Sequence, residues 1–194
     1  MISADRFLAS KDISEAGWLE ARRSGVTATQ VSRAASGPGG FQSVLGEFQD
    51  EWQEPDNPFM KFGREWESPI AMILKEAAGI MPNSWTISHE TERHFLCTPD
   101  GLSLDHTVIS EIKTTGKDWG DGKIPLQYRR QVQWQLFVTG AEMCLFAWMQ
   151  REERDGVLVP KWWDPKTLKI QRDPEMIEDL KNTAEKLWKE MENG

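Results

Sequence analysis

The sequence predicts an α/β fold in which a central mixed β-sheet is flanked by helices. Three observations carry that expectation. The N-terminal part places apolar residues at helical spacing between clear stop signals. The middle is a series of short β-prone runs separated by turn chemistry. The remainder alternates helix, strand and helix again. Elements of both kinds within 194 residues fit one domain, 1–194, with a single sizeable core.

The elements follow in order. Ser14 to Arg23 reads as a short amphipathic helix carrying Trp18 and Leu19. Thr27 and Gln30 have capping-box spacing, which starts a second helix near Ala28. Gly37, Pro38, Gly39 and Gly40 break it. A third helix is expected from Phe41 to Trp52, then a turn at Pro55 to Pro58. A longer helix covers about Phe59 to Ala78 and stops at Gly79. Its stripe of Gly63, Glu67, Ile70, Ala71, Leu74 and Ala78 sets one carboxylate on an otherwise small or apolar face. Pro69 is expected to kink this helix and leave the carbonyl of Glu65 without its usual donor.

Strands are expected at Trp85–His89, His94–Thr98, Gly101–Leu104 and Val108–Thr114. Pro125 to Thr139 is a helix, with proline acceptable in its first turn. Met143 to Gln150 is a strongly apolar strand, and Val157–Pro160 and Thr167–Gln171 are further candidates. Asp173 followed by Pro174 is an N-cap and first helical residue, opening a last helix to about Met191.

Composition narrows the function. Acidic residues outnumber basic ones, 31 to 23, for a formal charge of −8. A protein that coats nucleic acid through general attraction is usually basic, so that class is disfavoured. A local basic groove stays compatible, because binding follows the local field. The ten tryptophans, from Trp18 to Trp188, read mainly as packing residues. Two cysteines, Cys97 and Cys144, lie in apolar settings and read as buried free thiols. A Cys₄ zinc site or iron–sulfur cluster would need four. The N-terminus lacks the apolar core of a signal peptide, and no run of about 18 apolar residues occurs. A cytoplasmic protein without a membrane partner is expected.

One constellation points to chemistry. Asp100 precedes Gly101 at a turn, and eleven residues later come Glu111, Ile112 and Lys113. Glu111 and Lys113 share one face of a strand, and Asp100 can meet Glu111 across the hairpin. Two adjacent carboxylates repel unless a cation lies between them, and oxygen ligands suit Mg²⁺. Lys113 beside such a site can orient a water. An acid-x-Lys tripeptide alone is commonplace, and Pro-Asp-Gly alone is usually a turn. Here the flanking Val108, Ile109 and Ile112 mark an interior strand, where charges need partners.

Asp100, Glu111 and Lys113 resemble the PD-(D/E)XK nuclease signature. Four more segments are similar to its viral exonuclease branch, the lambda-exonuclease and YqaJ-type recombination nucleases. They are Trp18 and Arg22 followed by Gly25 to Thr29, then Gly63 to Glu67, Cys97 to Leu102, and Gln131 to Gly140, in the family's order. The resemblance implies a restriction-endonuclease-like fold. It implies that Asp100, Glu111 and the backbone carbonyl of Ile112 ligate Mg²⁺, with Mn²⁺ as substitute. Glu67 completes the acidic cluster, with Glu65 as the alternative; Gln131 supports the site, and Lys113 positions the nucleophilic water. Arg22, Thr29 and Thr98 fall where the family holds a 5′-terminal phosphate, with threonine where lambda exonuclease has serine at both hydroxyl positions. Without that context Arg22 reads as a solvated helix charge. Arg129 and Arg130, with Arg22, Arg23, Lys113 and Lys117, are candidates to line a basic groove, although Arg129 or Arg130 taken singly reads equally as a surface charge.

The resemblance therefore implies a phage- or prophage-encoded 5′→3′ exonuclease acting on duplex DNA ends in a bacterial cytoplasm. Its product would be 3′ single-stranded tails for recombination. It also implies a homotrimeric ring and a single-strand annealing partner. Two alternatives are a structure-specific or restriction-type endonuclease on the same fold, and a non-catalytic DNA-end binder. The last would be expected to lack Asp100, Glu111 or Lys113, and all three are present.

Overall fold

Two hydrogen-bonded sheets, rather than one, organise the chain. The computed structural model describes residues 1–49 and 56–193. The central sheet runs in the order β10-β8-β7-β6-β3, with β9 hairpinned onto β8. Its strands are β3 (Ile80–Pro82), β6 (Gly101–Ser103), β7 (Val108–Thr115), β8 (Met143–Arg154), β9 (Val157–Pro160) and β10 (Lys166–Gln171). The smaller sheet, β1-β4-β5-β2, comprises β1 (Phe7–Ser10), β2 (Val26–Thr27), β4 (Trp85–Ser88) and β5 (Phe95–Cys97).

β7 and β8 are parallel and in register from Val108↔Met143 to Thr115↔Gln150. Parallel neighbours need a crossover, and α5 (Leu126–Thr139) supplies it. The other pairs of the central sheet are antiparallel, so the sheet is mixed as expected. The strands β7 and β8 are packed on both faces. Ile109, Phe146 and Trp148 belong to the main core with Val132, Trp134 and Leu136 of α5. Ile112, Ala147 and Met149 join Ile70, Ala71 and Leu74 of α4 (Pro58–Ala78) in a second cluster.

Most helix boundaries follow the sequence signals. Ser14 caps α1 (Glu15–Arg23), accepting from the Gly17 N–H at 3.1 Å. Thr27 opens α2 (Ala28–Ala34), its N–H donating to Gln30 Oε1 at 2.9 Å. The Gly-Pro-Gly-Gly segment does end α2, but Pro38 then serves as the first residue of α3 (Pro38–Gln49). Proline there sacrifices no helical hydrogen bond. The expected end of α3 near Trp52 and the turn residue Pro55 lie outside the described residues. α4 continues through Pro69 to Gly79, whose φ of 67° ends it. Pro125 stands at the N-cap of α5 rather than in its first turn. Asp173 caps α6 (Pro174–Asn193), accepting from Met176 N–H at 3.1 Å.

The short β6 is clamped between β3 and β7. A Cβ on Gly101 would lie 2.4 Å from Ser110 Oγ, 2.7 Å from Ile80 Cγ2 and 3.1 Å from the Met81 carbonyl oxygen. Glycine is therefore a packing requirement at the head of this strand, next to Asp100. Cys97 and Cys144 are buried and free, and burial pushes both thiols up. Trp134 and Trp148 are buried as expected, whereas Trp163 is exposed. Among the described residues no helix is long and apolar enough to cross a membrane.

Candidate active site

The hairpin from β6 to β7 brings the acidic residues together. The Asp100 N–H donates to the Ser110 carbonyl at 2.9 Å. Its Oδ2 accepts from the Ile112 N–H at 2.6 Å, so Asp100 sits beside the strand position of Glu111. Glu111 is 1 % exposed and faces α5. Its Oε1 accepts from Gln131 Nε2 at 2.6 Å and is ion-paired with the Lys113 ammonium. Its Oε2 accepts from Gln135 Nε2 at 2.7 Å. Residues 131 and 135 are one helical turn apart, so a single face of α5 holds both carboxylate oxygens. Lys113 Nζ also lies 5.4 Å from the Tyr128 ring centroid.

Burial pushes the Asp100 carboxyl well above its ordinary value, and the neighbouring charges of Glu111 and Glu67 push the same way. Lys113 and the Ile112 N–H oppose them. Burial disfavours the Lys113 ammonium, but Glu111 and Asp100 outweigh it and hold the amine protonated. With both carboxylates ionised, the cluster stays negative after Lys113 is counted. Its donors are oxygens, so it fits a hard divalent cation of the Mg²⁺ type.

Glu67 stands apart from this pair. Among the described residues no three His, Cys, Asp or Glu side chains are grouped closely enough to hold an ion. Glu111 is turned toward Lys113 and the two glutamines instead. Glu67 lines a groove of about 480 Å³ with Phe59, Gly63, Lys113, Thr114 and Arg151. Glu67 is exposed as a residue. Partial desolvation still raises its pKa, assisted by Glu111 and Asp12 and opposed by Lys11 and Lys113. Glu65 is exposed and lies 3.9 Å from Lys61, one turn away on the outer face.

The remaining predicted residues separate into two groups. Arg22 is half-buried with its guanidinium 4.6 Å from the Trp18 ring centroid. It has no hydrogen bond or ion pair among the described residues, and burial draws its pKa down. Lys11 lies over the same ring at 5.3 Å. Thr29 is exposed in the first turn of α2. Thr98 is bonded to the Thr86 hydroxyl at 3.1 Å, two residues before Asp100. By contrast, Arg129 is tied to the Gly122 carbonyl at 2.7 Å. Arg130 lines a separate cavity of about 380 Å³ with Asp173, Glu175 and Asp179. Helical periodicity turns it away from β7 when Gln131 and Gln135 face it. The single basic groove expected from the sequence is thus not assembled by these two arginines.

Three side chains at the site escaped the sequence reading. Gln135 was findable, since it follows Gln131 by one turn. Lys11 and Arg151 were not, because their placement depends on tertiary packing of β1 and β8.

Comparisons with known proteins identify the family and the fold. The sequence model of the YqaJ-like viral recombinase domain matches residues 17–142. The fold is similar to that of LHK-Exo, an alkaline exonuclease from Laribacter hongkongensis. That match has a TM-score of 0.73 at 24 % identity and covers 91 % of this chain and 92 % of that one. A phage-related exonuclease from Haemophilus somnus matches with a TM-score of 0.67 at 14 % identity, over 87 % of this chain and 94 % of its own. A comparison with curated proteins finds no match. The matched span takes in Trp18, Glu67, Asp100, Glu111, Lys113 and Gln131, and the chain belongs to the YqaJ-like viral recombinase domain family, on a lambda-exonuclease-like fold of the PD-(D/E)XK type.

Proposed function

We propose that the chain is a Mg²⁺-dependent 5′→3′ exonuclease that degrades one strand of linear duplex DNA and leaves 3′ single-stranded tails for recombination. The observation that carries this reading is the half-buried Asp100 and buried Glu111 beside Lys113, which itself lines an open groove with Glu67. Family membership supports nuclease chemistry. LHK-Exo is an alkaline exonuclease and was crystallised with dAMP, a nucleoside monophosphate of the kind released from a strand end.

Asp100, Glu111 and the Ile112 carbonyl would hold Mg²⁺, or Mn²⁺ in its place, which supplies charge stabilisation at the phosphate and a more acidic water. Gln131 and Gln135 fix the Glu111 carboxylate. Lys113, kept charged by its carboxylate neighbours, donates to the attacking water and positions it. Glu67 adds a further carboxylate from α4. The Arg22 guanidinium, with Thr29 and Thr98, takes the 5′-terminal phosphate, and this assignment gives the polarity.

We take residues 1–194 as one nuclease domain, because β8 and β10 complete the sheet that carries Glu111. A homotrimeric ring would keep an acidic protein on DNA by enclosure, and light scattering of active protein checks it: a monomer mass removes the ring. A phage or prophage setting in the bacterial cytoplasm, with a single-strand annealing partner, completes the proposal. The deciding experiment digests linear duplexes with 5′-phosphate or 5′-hydroxyl ends, with and without Mg²⁺, beside closed circular DNA. Mg²⁺-dependent loss of linear DNA only, faster from 5′-phosphate, is expected. Cutting of the circle would make the protein an endonuclease.

A further inference from the structure

Most arginines of this chain have a partner. Arg33, Arg64, Arg93 and Arg154 are paired with carboxylates. Arg6, Arg129 and Arg172 donate to backbone carbonyls. Arg22, Arg23, Arg130 and Arg151 make no hydrogen bond or ion pair among the described residues, and of these four Arg22 and Arg151 are half-buried against an aromatic ring. Arg22 is accounted for above. Arg151 is not.

Arg151 stands where β8 begins its hairpin with β9, paired with Pro160. Its backbone is therefore held by a regular ladder. Its guanidinium carbon lies 4.5 Å from the ring centroid of Phe59. Phe59 is in the first turn of α4 and is 54 % exposed. Both residues line the same groove as Glu67 and Lys113. A guanidinium stacked on a ring face is fixed in orientation while its edge N–H groups stay free, and that edge matches a phosphate. Phe59 and Glu67 are eight residues apart on one helix, or about 12 Å. At about 3.4 Å of duplex axis per phosphate of one strand, this is a few nucleotides. Lys11, which acts on Glu67, and Arg22 share the Trp18 ring in the α1 region, so these cations come from a different part of the chain than Arg151.

We propose that Arg151, braced by Phe59, binds a backbone phosphate of the strand being degraded, a few nucleotides beyond the phosphate hydrolysed at Asp100, Glu111 and Lys113. This rests on the exonuclease reading and adds to it a second anchoring point for the same strand. Arg22 would recognise the end, and Arg151 would hold the strand irrespective of its end.

Equilibrium binding of a short 5′-phosphorylated duplex in EDTA, over a series of salt concentrations, tests the assignment without cleavage. Arg151→Ala should weaken binding by about tenfold. The slope of log affinity against log salt should become shallower by about one. Arg151→Lys should keep the slope with a smaller loss, and Phe59→Ala should lose affinity with the slope retained. The ratio of affinities for 5′-phosphate and 5′-hydroxyl ends should stay at the wild-type value in Arg151→Ala. Should that variant fold poorly, Arg151→Gln removes the charge and keeps a planar stem, with the same expected change of slope. Wild-type affinity and slope in the Ala and Gln variants would overturn the assignment while leaving the exonuclease reading intact. A wild-type protein that neither binds nor cuts duplex DNA would overturn both.

Discussion

The two sides of β7 are finished differently. On the α5 side, both Glu111 oxygens have donors, from Gln131, Gln135 and Lys113, and the carboxylate is sealed from water. On the α4 side, Glu67 and the guanidinium of Arg151 face an open groove, and Arg151 has no polar partner among the described residues. A buried polar cluster must be satisfied internally or it destabilises the fold. A half-buried cation at the wall of an open groove keeps water as its partner until a ligand arrives. The difference separates groups arranged in advance of binding from groups completed by it.

Four experiments would break or sharpen this contrast. The largest effect belongs to Lys113→Ala, which should reduce single-turnover cleavage to background and leave DNA-end binding within a few-fold. Cleavage near the wild-type rate would show that the sealed side is structural only. Next comes Asp100. Asp100→Ala should abolish the active-site event in calorimetric titration with Mn²⁺, and an unchanged isotherm would move the metal elsewhere. Asp100→Asn should lose the same event without lowering the metal-free melting temperature, because burial and Glu111 already oppose a charge at this position. Gln135→Leu removes one donor to a buried carboxylate oxygen and should cost about 1–2 kcal/mol in denaturant unfolding. A stability equal to wild type would mean that Gln131 and Lys113 suffice. On the open side, Arg22→Ala should leave the fold intact and remove most of an approximately tenfold preference for 5′-phosphate over 5′-hydroxyl ends. If the full preference survives, Arg22 is a surface charge and the polarity loses its support.

The sequence made the helices legible because their signals are local. The Thr27–Gln30 capping box, the Asp173 cap and the stop at Gly79 need only a few residues to be recognised, and all three are present. The short strands β1, β2 and β3 were not anticipated. Two to four residues carry no usable alternation, and these strands exist because β4, β5 and β6 pair with them. The end of β8 was missed for a related reason. Residues 151–154 are charged, and the β9 hairpin rather than burial keeps them extended. At the site, the Asp100–Glu111–Lys113 grouping followed from strand alternation and one hairpin. Arg130 shows the limit of such reading: adjacency to Gln131 in sequence said nothing about the face it occupies, and α5 turns it to the cavity beside α6.

Gly101 shows how two neighbouring letters of a signature can be constrained for unrelated reasons. In the reading proposed above Asp100 is held to its identity by the cation it would ligate, and Gly101 by the space that Ser110, Ile80 and Met81 leave for it. In a survey of tolerated substitutions both positions would look equally intolerant. Loss of Asp100 should yield abundant, folded, inactive protein, whereas even alanine at 101 should prise the sheet apart and lower the amount of folded protein. A screen that scores activity alone would count a steric position among the chemical ones; scoring abundance beside activity would separate them.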